Sequence, residues 1–183
     1  MAYFRVAEAR RAFQQSYPNR SLTASAAKDA LQGETARRGA ARFDIFLSHS
    51  SDDAVTIAGV KTILESDGSR VYVDWMDDPQ LDRSRVTTAT AEVLRKRMRS
   101  SASLFYVSSK ASPTSRWMPW EVGYFDGMRP GKVAILPLVE ASDSEFVGIE
   151  FVGLYPKVER DTVGRPLIRL SASATRSAQQ FRI

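Results

Sequence analysis

At 183 residues and 43% hydrophobic content, the chain can bury one good core with a small appendage, and two full domains do not fit. It has no cysteine and one histidine, which excludes disulfides, thiolate nucleophiles, Cys-based zinc sites and His-rich metal centres; no metal site is expected, and the missing cysteines fit a reducing compartment. No apolar run approaches the roughly 20 residues needed to cross a bilayer and no apolar secretory segment opens the chain, so a soluble, cytoplasmic protein with no membrane partner is expected.

The net charge of +5 is unevenly spread. Residues 1–40 hold seven Lys/Arg against three Asp/Glu, which leaves 19 basic and 18 acidic residues beyond them. The main body is therefore nearly neutral, and the basic segment lacks interleaved aromatics for stacking bases, so no nucleic-acid partner is expected. Residues 1–40 read as a helical extension: a short helix over 2–15, a break at Tyr17-Pro18-Asn19, and a second helix around 23–38 closed by Gly39. The expected division is this extension, then one domain over 41–183 that ends in a C-terminal tail. Removing the extension is expected to leave that domain folded.

From Arg42 the pattern changes. FDIFL is a compact apolar strand, and Ser48-His49-Ser50-Ser51-Asp52-Asp53 is a polar turn into a helix, with Ser50 and Asp53 spaced as a capping box. Ile57, Val60, Ile63 and Leu64 recur at helical spacing until Asp67-Gly68 ends the element, and Arg70 to Trp75 alternates as a second strand. Met76 to Arg85 mixes acids, a proline and arginines without period and reads as a surface loop before a helix over about 86–99. A third strand is expected over 103–108, a helix opening at Pro119 and running to about Met128, a turn at Pro130-Gly131, a fourth strand over 132–139 and a fifth near 151–158.

Strands alternating with helices imply a parallel sheet covered on both faces, with ligands beyond the carboxyl ends of the strands. That rule collects the Ser48 to Asp53 turn, Asp74-Trp75, the Ser108 to Arg116 segment and Glu121 into one expected cleft. In Trp117-Met118-Pro119-Trp120-Glu121 a carboxylate sits beside two indoles at the mouth of a helix. Pro119 is tolerated in a first turn, where the helix dipole favours an ionised Glu121 and a first-turn group is rarely fully dry. A flat cationic substrate suits such a site. The ordinary alternative is an acid that caps its own helix while the tryptophans fill core.

FDIFLSHSSDD, the strand ending YVDW, and SRWMPWEVGYFDG, in this order and spacing, resemble the Toll/interleukin-1 receptor (TIR) domain family, particularly its bacterial stand-alone members, over about residues 42–160. The resemblance implies an α/β fold: a flavodoxin-like three-layer sandwich around a five-stranded parallel sheet. It implies that Glu121 matches the glutamate with which some members cleave NAD+ at the nicotinamide glycosidic bond, as NAD+ nucleosidases or ADP-ribose cyclases in prokaryotic immunity or toxicity. NAD+ is then substrate, and no cofactor is expected; a recycled hydride carrier is disfavoured because no G-x-G-x-x-G follows the first strand. It further implies self-association through the Met76–Arg85 loop, where Asp77, Asp78 and Asp82 can meet Arg83 and Arg85 of a neighbouring copy, and an effector protein that responds to the product.

The chemistry needs little. Nicotinamide leaves as a neutral molecule, so one carboxylate suffices to hold the ribose and offset an oxocarbenium ion, without the second acid of ordinary glycosidases. Trp75, Trp117 or Trp120 can stack on a ring of the dinucleotide. Ser48, His49 and Ser50 can bind the carboxamide or a phosphate, and Arg116 is a phosphate partner or a solvated cation. A Ser-His-Asp hydrolase fits poorly, because neighbouring Ser48 and His49 do not face each other. Product form, linear or cyclic, stays open, as does the alternative of a non-catalytic TIR scaffold that acts only by assembly.

Overall fold

The computed structural model describes residues 2–23, 25–27, 42–50, 54–78, 81, 86–110, 112–140, 150–171 and 174–181. The chain opens with β1 (Phe4–Arg5) and α1 (Val6–Ser16). The Tyr17-Pro18-Asn19 break follows as expected, and Thr23 starts a further helical turn by accepting a hydrogen bond from the Ala26 N–H; the rest of the expected second helix lies outside the described residues. FDIFLS forms β2 (Phe43–Ser48), whose last four residues are buried on both faces, which is why the run is apolar without alternation. Next come α2 (Ala54–Ser66), β3 (Val71–Tyr72) and the one-turn α3 (Asp74–Asp77).

Thr87 caps α4 (Thr88–Arg99) by accepting the Thr90 N–H, and Lys96, Arg97 and Arg99 in its last turn complement the helix dipole. β4 (Ser101–Ser108), α5 (Met118–Met128) and β5 (Val133–Val139) follow, the last two joined by a turn with Gly131 at φ 74°, where a side chain would be strained. The chain closes with β6 (Lys157–Arg160), β7 (Pro166–Arg169), β8 (Thr175–Ser177) and α6 (Ala178–Phe181).

The sheet runs β3-β2-β4-β5-β6-β7-β8, with β1 beside β5. The first five strands of that order pair in parallel, as expected, and β7 and β8 add an antiparallel edge. One face packs on α1, α2 and α6 through Phe13, Leu64 and Phe181; the other packs on α4 and α5 through Leu94, Met98, Val122 and Phe125. Three layers result.

Four expectations change. The second strand is only two residues long, because Asp77 accepts the Val73 N–H and folds the chain into α3. The fifth strand starts at Lys157, after a 3-10 turn over Glu150–Leu154. The expected tail holds β7, β8 and α6. The start of the chain also joins the sheet: Phe4 and Arg5 pair with Leu138 and Val139, Ala2 bridges Arg160, and Phe4, Ala9 and Phe13 are core residues. Pro137 marks the junction on β5, between Ile135, which pairs with Lys157 of β6, and Leu138, which pairs with Phe4. A residue without an N–H fits where one neighbour strand hands over to the next.

Candidate functional site

Period-two alternation at the end of β2 decides the site. The Ser48 side chain falls on the α5 face and its hydroxyl donates to Oε2 of Glu121 at 2.5 Å. Glu121 stands in the first turn of α5, which Trp117 precedes and Ser115 supports by accepting the Met118 N–H at 3.3 Å. Ser48 and Glu121 are both 0% exposed. The expectation that a first-turn acid stays wet is therefore corrected. Ser48 bonds the carboxylate, and its place in the first turn sets it at the positive end of the helix dipole.

His49 belongs to a second cluster. Its Nε2 accepts the Trp75 indole N–H at 3.0 Å, and because that indole can only donate, the ring proton sits on Nδ1, which donates to the Leu47 carbonyl at 2.8 Å. Asp74 lies 3.2 Å from the same Nε2 and accepts the Trp75 backbone N–H at 2.7 Å. Both ring nitrogens are occupied and Ser48 is turned to Glu121, so these side chains do not form a Ser-His-Asp relay.

The residues expected in one cleft thus divide between Ser48, Glu121 and Trp117 on one side, and His49, Asp74 and Trp75 on the other. Ser50 is half-buried just past β2, and Asp53, its expected capping partner, lies outside the described residues. Arg116 is exposed. Trp117 is buried edge-on to Trp120, with ring centres 5.4 Å apart. Trp120 stacks on Tyr124, and the Arg95 guanidinium lies 5.4 Å from its centre, so its faces are already in use.

The segment after β3 is anchored within the chain. Arg97 of α4 donates two hydrogen bonds of 2.7 Å to the two oxygens of Asp78, whose Oδ2 also accepts the Tyr72 hydroxyl at 2.8 Å. Burial, with Asp74 and Asp78 nearby, pushes the Tyr72 phenol well above its ordinary value, while the Asp78 bond raises that of Arg97. Burial pushes Asp77 up to about 6, against the Val73 N–H and the Lys61 charge, which lower it. The expectation that Asp78 meets a neighbouring copy is corrected, since it is 4% exposed and paired internally. Asp82, Arg83 and Arg85 lie outside the described residues.

Sequence reasoning missed Tyr106. It lies opposite Ser48 in the β2–β4 register, is 0% exposed, and its hydroxyl has no hydrogen-bond partner among the described residues. The Glu121 charge contributes to raising its pKa, after burial and against the Ser112 hydroxyl, which lowers it without bonding to it in good geometry. A tyrosine next in line to the strand-end Ser108 was the available signal.

No protein-family model matches the chain. Over 122 residues it is 53% identical to a Bacillus cereus (strain MSX-D12) protein named probable 3′ cyclic ADP-D-ribose synthase ThsB′, a stretch that covers 66% of this chain and 63% of that one. Over 83 residues it is 31% identical to a Cytobacillus dafuensis protein named putative cyclic ADP-D-ribose synthase TIR2, covering 45% of this chain and 22% of that one. The chain is similar to proteins named as cyclic ADP-D-ribose synthases. It spans less than two thirds of the length of either relative. Among the described residues no helix is long and apolar enough to cross a membrane.

Proposed function

We propose that the chain is a TIR-type enzyme that cleaves the nicotinamide glycosidic bond of NAD+ and closes the resulting ADP-ribose on itself. The observation that carries the reading is the Glu121 carboxylate, buried at the carboxyl ends of the parallel strands and held by Ser48. The names of the two relatives support it. In the reaction the C1′–N bond breaks, its electron pair leaves with neutral nicotinamide, and the ribose becomes an oxocarbenium ion. Glu121 accepts hydrogen bonds from the ribose hydroxyls and offsets the developing charge in a low-dielectric setting. A nucleophile of the same molecule then takes the cation and releases a proton, giving the cyclic product; water would give linear ADP-ribose. Because Glu121 is closed to solvent in the free chain, entry of the ribose requires local opening at the strand ends, and reclosure excludes the competing water.

The proposal includes use of the product in prokaryotic immunity or toxicity through a responding effector, and self-association through the segment after β3. The test is to incubate the protein with NAD+ across a dilution series and identify products by mass. Loss of NAD+ with a product lighter than ADP-ribose by one water is expected, with specific activity rising with protein concentration. Glu121→Gln keeps the side-chain shape and an oxygen for Ser48, so it should stay folded and lose about 10²-fold or more in rate. Undiminished activity in folded Glu121→Gln would remove Glu121 from the chemistry, and no NAD+ loss at any concentration would favour the scaffold.

A further inference from the structure

A buried hydroxyl without an acceptor is costly enough that its persistence needs a reason. Tyr106 has such a hydroxyl. Its side chain is completely buried and shares a sheet face with Ser48 on the neighbouring strand, whose hydroxyl holds Glu121. Phe151 packs edge-on against the ring with centres 6.0 Å apart, which fixes the ring without serving the oxygen. The nearby Ser112 hydroxyl donates to the Ser109 carbonyl at 2.8 Å and meets the phenol in no hydrogen bond of good geometry. Burial and the Glu121 charge both favour the neutral phenol, so the group keeps its proton and acts as a donor.

What it lacks is an acceptor beside a carboxylate that itself only accepts. A ligand hydroxyl that donates its proton to Glu121 offers Tyr106 the lone pair it lacks. Resting on the reading of the site given above, we propose that Tyr106 is a substrate-binding residue whose phenol donates to a hydroxyl of the nicotinamide ribose held by Glu121. The bond exists in the ground state as well as the transition state, so its loss acts on substrate binding more than on the chemical step.

The test is Tyr106→Phe, which removes only the oxygen. With NAD+ its KM should rise about fivefold to tenfold while kcat changes little, as expected for one neutral hydrogen bond. In the same protein the melting temperature should rise by about 2–4 °C, because an unsatisfied buried group is gone. A phenol with a purely structural role gives the reverse, a lower melting temperature and an unchanged KM, and would overturn the proposal. NAD+ analogues lacking the 2′- or the 3′-hydroxyl of the nicotinamide ribose locate the contact: with one of them the Tyr106→Phe penalty should vanish, and a penalty that persists with both also overturns it. Wild-type protein that leaves NAD+ intact defeats the underlying reading instead, and the proposal falls with it.

Discussion

Gly59 lies in the middle of α2, where α1 crosses it. A Cβ built there would stand 1.8 Å from the Ala9 carbonyl oxygen, 2.4 Å from the Ala9 carbon and 3.0 Å from its Cα, all of them backbone atoms. Gly59→Ala therefore cannot be absorbed by a rotamer change; α1 must retreat by about 1.5 Å to restore ordinary contact, or leave. In an open helix the same substitution would stabilise by about 0.8–1 kcal/mol through helix propensity. Overpacking costs about 1–3 kcal/mol, and retreat also loosens Ala9 and Phe13, both 0% exposed, so net destabilisation of about 1–2 kcal/mol is expected. For a chain of this size that lowers the melting temperature by about 2–8 °C. Gly123 and Gly127 in α5 are the controls, because a Cβ at either meets nothing within 4 Å. Their alanine variants should melt slightly higher than wild type. Limited trypsin digestion at Arg10 and Arg11, both exposed on α1, should speed up in Gly59→Ala alone. If Gly59→Ala melts higher, like the controls, α1 does not pack against Gly59 and residues 1–40 are the dispensable extension that composition suggests.

The raised Asp77 makes stability depend on pH in a set direction. Its folded form binds a proton more tightly than the unfolded chain, so its contribution is fully present below about pH 4 and lost as pH rises through about 6, by at most about 3 kcal/mol. Asp77→Asn keeps an acceptor for the Val73 N–H and should flatten that dependence in chemical denaturation followed from acid to neutral pH. Asp78→Asn leaves Arg97 half-buried without its charge partner, and should cost about 2–3 kcal/mol of stability while leaving self-association unchanged; a change in oligomeric state with unchanged stability would put Asp78 at an interface after all.

Much of the sheet could be read from the sequence because its signals are local. The apolar run FDIFL, the helical spacing of Ile57 to Leu64 and the Asp67-Gly68 and Pro130-Gly131 stops do not depend on distant partners, and the corresponding elements formed as expected. β3 ends sooner than its alternating sequence suggests because Asp77 and Asp78 decide its end, through bonds to Val73 and to Arg97, which lies 19 residues beyond Asp78. β1 has two residues, and only Leu138 and Val139 make it a strand. At the site, W-x-x-x-E announced Glu121, but its full burial depends on Ser48, 73 positions earlier. The split between Ser48 and His49 was within reach, since consecutive strand residues point to opposite faces.

The handover at Pro137 has a kinetic consequence. Residues 4 and 5 cannot take their place in the sheet until residues 138 and 139 are in theirs, and Ala2 waits for Arg160. Contacts of such long sequence separation close late and slow the search. A folding intermediate is therefore expected in which the β2–β4–β5 strands have formed while Phe4 and Phe13 remain outside, leaving the apolar surface they cover on α2 and the sheet exposed and prone to aggregate until α1 arrives.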